Sequence, residues 1–482
     1  MGFKQREKRM PGTGLSILMI CLVMAFLLIG VIVLEYDMHI VLLVTMAIVC
    51  LTSVWLGYSF DELIGFMKKP LAESVPTLIL FLFIGIIIAS WIFSGTVPAL
   101  IYYGLKYINP TFFLPLGLIL CSLTSLSIGT SWGTVGTLGV AMMGVGQGMG
   151  VPPAITAGMV ISGAFFGDKM SPMSDTANLS TATVRGTMPK HIRAMWQTAL
   201  PAFLIALVVF TAIGLSFKEG TISNEKIQIF SETLQKNFTI TPLALIPIVV
   251  LFALNMANFP AIPGMAIGSL LGVIFAVVLQ KAPLSEVILG LNYGFGRATG
   301  IEMVDALLLR GGIQDMMYTF SMAFISISLG GILEDVGYLK KILALIVSKI
   351  KSDRALVPVV ISSTTLGTLA MGEIYFALIV SGNMFRDEFK KRHLRPEMLS
   401  RLLEEGGTMM QVFIPWSTSG IFIAGTLGLS VAQYWPYTIL CYLNPLVSIA
   451  MAFMGLGILR MSNAEIKALE KGDAQCTEIS AN

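Results

Sequence analysis

The sequence predicts an all-α polytopic membrane protein with discontinuous helices, arranged as two inverted repeats of about five transmembrane helices and one re-entrant hairpin each. Three observations predict it. Hydrophobic residues fill 55% of the 482 positions and charged ones only 12%, about half the usual charge fraction. Apolar runs recur at the roughly 20-residue length that crosses a hydrocarbon core. Two stretches, SIGTSWGTVGT (127–137) and GDKMSPMSDTANLS (167–180), break deeply apolar sequence with polar groups. Irregular backbone at such depth survives only where it packs in protein or lines a wet cavity.

The N-terminal MGFKQREKRM precedes an apolar run from about 15 to 34 with no small-residue cleavage site, so it reads as a retained first span. Lys4, Arg6, Lys8 and Arg9 should hold that end in the cytoplasm. Further spans lie near 40–58, 77–95, 197–217, 241–256, 260–280, 316–334 and 438–459. The net charge of +3 comes without a basic stripe, which argues against a nucleic-acid partner. Cys21, Cys50, Cys121, Cys441 and Cys476 show no metal or disulfide spacing and read as packing residues. His39, His191 and His393 are scattered near expected boundaries and read as surface residues.

A weak internal repeat links the halves. Gly129-Thr130 matches Gly367-Thr368 at an offset of 238, Pro172 to Thr176 faces Pro415 to Ser419 at 243, and DELIG resembles SEVILG, with Glu62 and Glu286 224 apart. Charge placement suggests inversion. The connector 96–110 carries only Lys106, whereas its counterpart holds Lys340, Lys341, Lys349, Lys351 and Arg354, and 386–401 is basic through Arg386, Lys390, Lys391, Arg392, Arg395 and Arg401. Residues 355–385 would then form a hairpin entered from the cytoplasm, and 111–147 one from outside, with GVGQGMG (144–150) as its flexible exit. The expected plan is a first repeat over 1–217, an external solvated loop over 218–240, a second repeat over 241–460 and a cytoplasmic tail over 461–482. It gives ten crossings, both termini inside, and no role for the glycosylation-like Asn237-Phe238-Thr239.

Charges in the breaks cost roughly 2.5 to 3.5 kcal/mol each or more, so they mark a transport path. Asp168 and Asp175 stand seven apart with Pro172 between them, and Ser171, Ser174, Thr176, Asn178 and Ser180 surround them with oxygen. Oxygen-rich breaks suit a hard cation such as Na+. A carboxylate there binds a proton or a cation and is neutral either way, so competition for it is an exchange mechanism. Asp175, lacking a basic neighbour, is the leading candidate; Asp168 has Lys169 beside it. Glu373, near the second hairpin tip, is the third carboxylate, and Thr130 and Ser131 offer hydroxyls in the first. Structural alternatives stand beside these roles: Asp168 neutralising Lys169, Asp175 capping a helix, and the hydroxyls satisfying backbone.

GTSWGTVGTLGVAMMGVGQGMG and ISGAFFGDKMSPMSDTANLS resemble the signature stretches of the NhaC family of bacterial Na+/H+ antiporters, strongly over residues 40–195 and by general pattern beyond. The resemblance implies a secondary active transporter of the cytoplasmic membrane, not an enzyme, without cofactors, exchanging Na+ for H+. It implies that Ser174-Asp175-Thr176 is the cation-site tripeptide. Its second-half counterpart, Ser417-Thr418-Ser419, lacks a carboxylate and leaves Thr418 as a neutral ligand at most. Family members exchanging malate and protons for lactate and sodium share these motifs, with Lys169 as an available anion donor. The lipid bilayer and a second copy of the chain complete the expected partners.

Overall fold

The computed structural model describes residues 9–217, 224–257, 259–347, 350 and 352–467. Expectations for Lys4, Arg6, Lys8, Lys349, Lys351, Lys471 and Cys476 fall outside them. The first half runs through α1 (Thr13–Leu28) with a π-turn (Ile29–Val33), α2 (Met38–Trp55), α3 (Phe60–Glu73), α4 (Val75–Phe93) and α5 (Thr96–Tyr107). It continues with α6 (Pro110–Ile128), α7 (Ser131–Thr134), a π-turn (Val135–Gly139), α8 (Val140–Gly148), α9 (Pro153–Met170), α10 (Asp175–Thr183) and α11 (Met188–Leu215). After α12 (Asn224–Asn237) come α13 (Ile246–Met256), α14 (Ala261–Val278), α15 (Leu284–Tyr293), α16 (Glu302–Leu308), α17 (Ile313–Val336) and α18 (Tyr338–Val347). The chain closes with α19 (Asp353–Met371), α20 (Ile374–Lys391), α21 (Pro396–Gly406), α22 (Thr418–Leu427), α23 (Val431–Tyr434) and α24 (Ile439–Phe453).

Among the described residues, eight helices are long and apolar enough to cross a membrane, and two bent helix pairs raise that to ten. Apolar side chains such as Leu51, Val208 and Val278 stay exposed on their outer faces, as a lipid-facing surface requires. The chain is an all-helical multi-pass membrane protein. Its interior is filled by residues such as Phe81, Trp91, Phe113, Phe165 and Phe210.

Helix ends recur in a fixed register. α6 and α19 begin 243 residues apart (353 − 110) and end 243 apart (371 − 128), each interrupted five residues in by Pro115 or Pro358. The N-terminal prolines of α9 and α21 (396 − 153 = 243) keep the same spacing. Earlier, α2 and α14 are offset by 223 at both ends (261 − 38; 278 − 55). The 20-residue difference falls between the paired helices α3 and α15 on one side and α4 and α17 on the other, where the second half inserts α16. Packing is reciprocal: α17 lies on α2 and α3, while α4 lies on α14 and α15. The sequence anchor at Gly367 falls five residues short. Gly129 and Gly372 (372 − 129 = 243) occupy the matching left-handed turns, φ 75° and 66°, a conformation glycine takes without steric penalty.

Four expectations need correction. GVGQGMG is not a flexible exit: it is helical to Gly148 and mostly buried, because Gly144 and Gly146 let Ile101 of α5 and Thr156 of α9 approach where a Cβ would sit at 2.5 and 2.4 Å. The segment expected to be a solvated loop contains α12, whose Phe230 and Leu234, one helical turn apart, bury an apolar stripe. His191 is fully buried, and its Nδ1 meets the Ser400 hydroxyl at 2.7 Å. Arg401 does not face solvent but is 1% exposed, since α21 enters the protein with Glu405 one turn on as its partner at 3.5 Å.

The most intimate helix pair is α6 with α9, where a Cβ on Gly167 would stand 2.1 Å from the Ser122 carbonyl oxygen. Small residues allow such backbone approach. Gly167→Ala should therefore cost about 1–3 kcal/mol by overpacking, read as a lower melting temperature in detergent. Gly65→Ala, with nothing within 4 Å of the new Cβ, should leave the melting temperature unchanged or raised.

Candidate functional site

An unwound chain inside a membrane protein exposes backbone N–H groups that need acceptors. Here four helices start at the breaks, and each brings its own cap. Thr130 accepts from Gly133 N at 3.5 Å, Ser174 from Ala177 N at 3.3 Å, Glu373 from Ile374 N at 3.0 Å, and Ser417 from Gly420 N at 2.9 Å. The register pairs Thr130 with Glu373 and Ser174 with Ser417, so the two halves place different chemistry at equivalent points. The breaks meet: Thr418 N donates to the Gly372 carbonyl at 2.9 Å, Trp132 Nε1 donates to Ser419 Oγ at 2.9 Å, and Tyr375 donates its hydroxyl proton to Asp175. Trp132 stacks on both Phe81 and Phe422, at 5.6 and 4.7 Å, and those two rings also meet each other at 5.8 Å.

Between these helix starts is a cavity of about 50 Å³, lined by Thr130, Ser131, Trp132, Asp168, Asp175, Thr176, Glu373, Tyr375, Thr408, Gln411 and Ser419 among others. That is room for one or two water-sized occupants at ~30 Å³ each. Three carboxylates line it. Asp168 is fully buried, accepts from Ser131 Oγ at 3.0 Å through Oδ2, and keeps Oδ1 without a partner. Glu373 spends Oε1 on its cap, and its Oε2 is met by no well-aligned donor, the Thr418 hydroxyl being its polar neighbour. Asp175 is the most exposed of the three, with Oδ1 accepting from Thr176 N at 2.8 Å.

Lys169 is turned away from this cavity. Its Nζ lies 2.7 Å from Glu404 Oε2 and 2.6 Å from Thr176 Oγ1, against 3.4 Å from Asp168 Oδ2, with no exposure. The expected Asp168–Lys169 pair thus exists as the weaker side of a shared contact. Asn178 donates to Pro172 O at 3.1 Å and Ser174 O at 2.8 Å, holding the break from its exposed side. Ser174 and Ser417 act as caps and do not line the cavity.

Sequence reasoning missed Tyr375, Thr408, Gln411, Ser419 and Glu404. Glu404 sits in SRLLEEGG, which looks like a cytoplasmic amphipath, yet the 243 register sets it opposite Ile161 in the middle of α9. That register was the signal available. A second cavity of about 930 Å³, between α1, α17 and α22, is lined mainly by apolar groups such as Met322, Phe413 and Ile421 and offers few ion ligands.

Fold and site together define a polytopic membrane protein built around broken helices that converge on buried carboxylates. A sequence model of the Na+/H+ antiporter family matches residues 8–185 and 163–456, and the chain belongs to that family. It is 35% identical over 446 residues to the Na+/H+ antiporter NhaC of Alkalihalophilus pseudofirmus, covering 92% of this chain and 96% of that one. The malate-2H+/Na+-lactate antiporter of Bacillus subtilis is 34% identical, covering 97% and 100%. The Na+/H+ antiporter NhaC of Bacillus subtilis is 33% identical, covering 93% and 99%.

Breaking one side of a buried ion pair costs about 3–5 kcal/mol, while replacing both is often neutral. Lys169→Met should accordingly lower the melting temperature sharply, and Lys169→Met with Glu404→Met should recover most of it. Equal melting temperatures for single and double variants would mean that Glu404 is not the lysine's main partner.

Proposed function

We propose that this protein exchanges Na+ for H+ across the cytoplasmic membrane, with both termini in the cytoplasm and the halves 1–217 and 241–460 in inverted orientation. One observation carries the ion assignment. The 50 Å³ cavity is lined by carboxylate oxygens left without donors, Asp168 Oδ1 and Glu373 Oε2, while the nearby ammonium is committed to Glu404. Buried acceptors without donors are costly. Their natural occupants are a proton or a hard cation, and oxygen ligands suit Na+. A dicarboxylate finds neither the volume nor a free cationic donor in this conformation, which favours simple cation exchange over the malate and lactate exchange of the Bacillus relative.

Asp175 stands at the more open edge of the cavity and meets incoming ions first; Asp168 and Glu373 hold them within. Ser131, Thr176 and Thr418 add neutral oxygens. A proton on one of these carboxylates removes the charge that holds Na+, so the two ions exclude each other and raising pH tightens Na+ binding. The helices that start at the site belong to both halves, so rearrangement between the halves would open it to alternate sides.

In liposomes holding a pH gradient, external Na+ alone should dissipate the gradient without malate or lactate. A strict requirement for either acid would overturn simple cation exchange. Asp175→Asn and Asp168→Asn should each abolish Na+-driven proton movement while the protein stays folded, since Glu404 frees Asp168 for the ion. Normal exchange in Asp175→Asn, with pH-dependent Na+ affinity intact, would remove Asp175 from the site. For orientation, cysteines placed at Gln235 should be labelled from outside and at Lys391 from inside; labelling of both from one side would reject inversion.

A further inference from the structure

Behind the cation cavity a second set of polar groups runs through the interior between α9, α11, α21 and α24, and the exchange site described above does not use it. It begins at Glu404, which accepts from Thr408 Oγ1 at 2.7 Å and from Lys169 at 2.7 Å and so touches two side chains beside the cavity. Glu405 is next along α21, accepting from Thr198 Oγ1 of α11 at 2.6 Å and forming an ion pair with Arg401, whose Nε lies 3.5 Å away. Ser448 of α24 stands beside Glu405, with Asn444 one turn earlier on the same helix face. His191 of α11 faces Glu404 and Arg401. Arg401 donates through Nη2 to the Gly457 carbonyl at 3.0 Å, in a segment whose Met454 and Leu456 are 65% and 54% exposed.

Six atoms along this line have no partner: Glu404 Oε1, Glu405 Oε2, Ser448 Oγ, both amide atoms of Asn444, and His191 Nε2. All belong to side chains at most 1% exposed. Leaving buried polar groups of this kind unpaired is unfavourable. Interior water bonding two to four such groups at once is the usual remedy. Asn444 is uncharged and its amide bonds to nothing in the protein, so its chemistry is that of a group lining water, and the Ser448 hydroxyl stands next to it beside the Glu405 carboxylate.

We propose that this tract is a hydrated proton path, joining the exposed segment 453–460 to the cation site and separate from the route Na+ takes. The proposal rests on the Na+/H+ reading of the site. A proton taken from bulk water at the Arg401 end moves along bridging water to Glu405, then to Glu404, and on to Asp168. Each carboxylate regains its charge as it passes the proton forward, so one proton enters and one is delivered. Na+, needing several oxygen ligands at once, remains in the carboxylate cavity. Glu404 is the junction, holding Lys169 and reaching Thr176 of the cavity at 3.4 Å.

The test compares two fluxes in proteoliposomes of the purified full chain. Na+-driven proton movement is followed by an internal pH dye, and exchange of radioactive Na+ against internal Na+ at equal pH on both sides needs no net proton movement. Asn444→Leu removes only unpartnered polar atoms and Ser448→Ala removes a single hydroxyl beside Glu405, so both should still fold, which their melting temperatures check. They should slow Na+/H+ exchange about tenfold or more, a barrier higher by about 1.4 kcal/mol, with Na+/Na+ exchange retained. Glu405→Gln with Arg401→Gln, removing the buried pair together, should do the same. A parallel fall of both fluxes in folded protein, or unchanged Na+/H+ exchange in all three variants, would overturn the separate path. Absence of Na+-driven proton movement in the parent itself would instead defeat the exchange reading.

Discussion

The structure depends on how an unwound backbone is kept satisfied inside a bilayer. Breaking a helix at mid-depth exposes donors that water would normally meet, and every other feature of the centre follows from solving that locally. Thr130, Ser174, Glu373 and Ser417 each close their own helix start, and the bond from Thr418 N to the Gly372 carbonyl joins two of the breaks directly. With the backbone satisfied in this way, the space among the breaks is left to side-chain oxygens. The Phe81–Trp132–Phe422 stack and the Trp416 Nε1 bond to Leu369 O at 2.8 Å then fix the breaks sideways without entering the oxygen cluster.

Much of this is legible in the sequence because membrane burial writes long, simple signals. The apolar runs locate α1, α2, α4, α11, α14 and α17, and the two polar interruptions locate α7 and α10. What the sequence hides is depth within short helices. α21 carries Arg401, Glu404 and Glu405 and reads as a surface amphipath, yet all three are buried because they neutralise Lys169 and each other across the halves. Partners 235 residues apart in the chain, as Lys169 and Glu404 are (404 − 169), leave no local pattern. Tyr375 is hidden for the same reason: its contact with Asp175 is made by folding alone.

Equivalent positions in the two halves carry different chemistry. Where the first half has Asp168 and Asp175, the register gives the second half Gln411 and Thr418; where the second has Glu373, the first has Thr130. Each carboxylate thus faces a neutral oxygen at its counterpart. Three acidic groups in one small cavity are more tolerable than six, since like charges a few ångströms apart oppose joint ionisation, and the neutral partners keep coordinating oxygens without adding repulsion.

The reciprocal packing of α4 on α14 and α17 on α2 bears on how the protein is made. Until ribosomal synthesis reaches α14, the face of α4 that ends against it has no cover, and until α21 arrives Lys169 has no glutamate. A nascent first half must wait in the membrane with an ammonium whose only carboxylate partner is the more distant Asp168 and with an unfinished surface. The first half therefore completes its packing and its charge pairing only once the second half is made, so the two halves are not separable folding units.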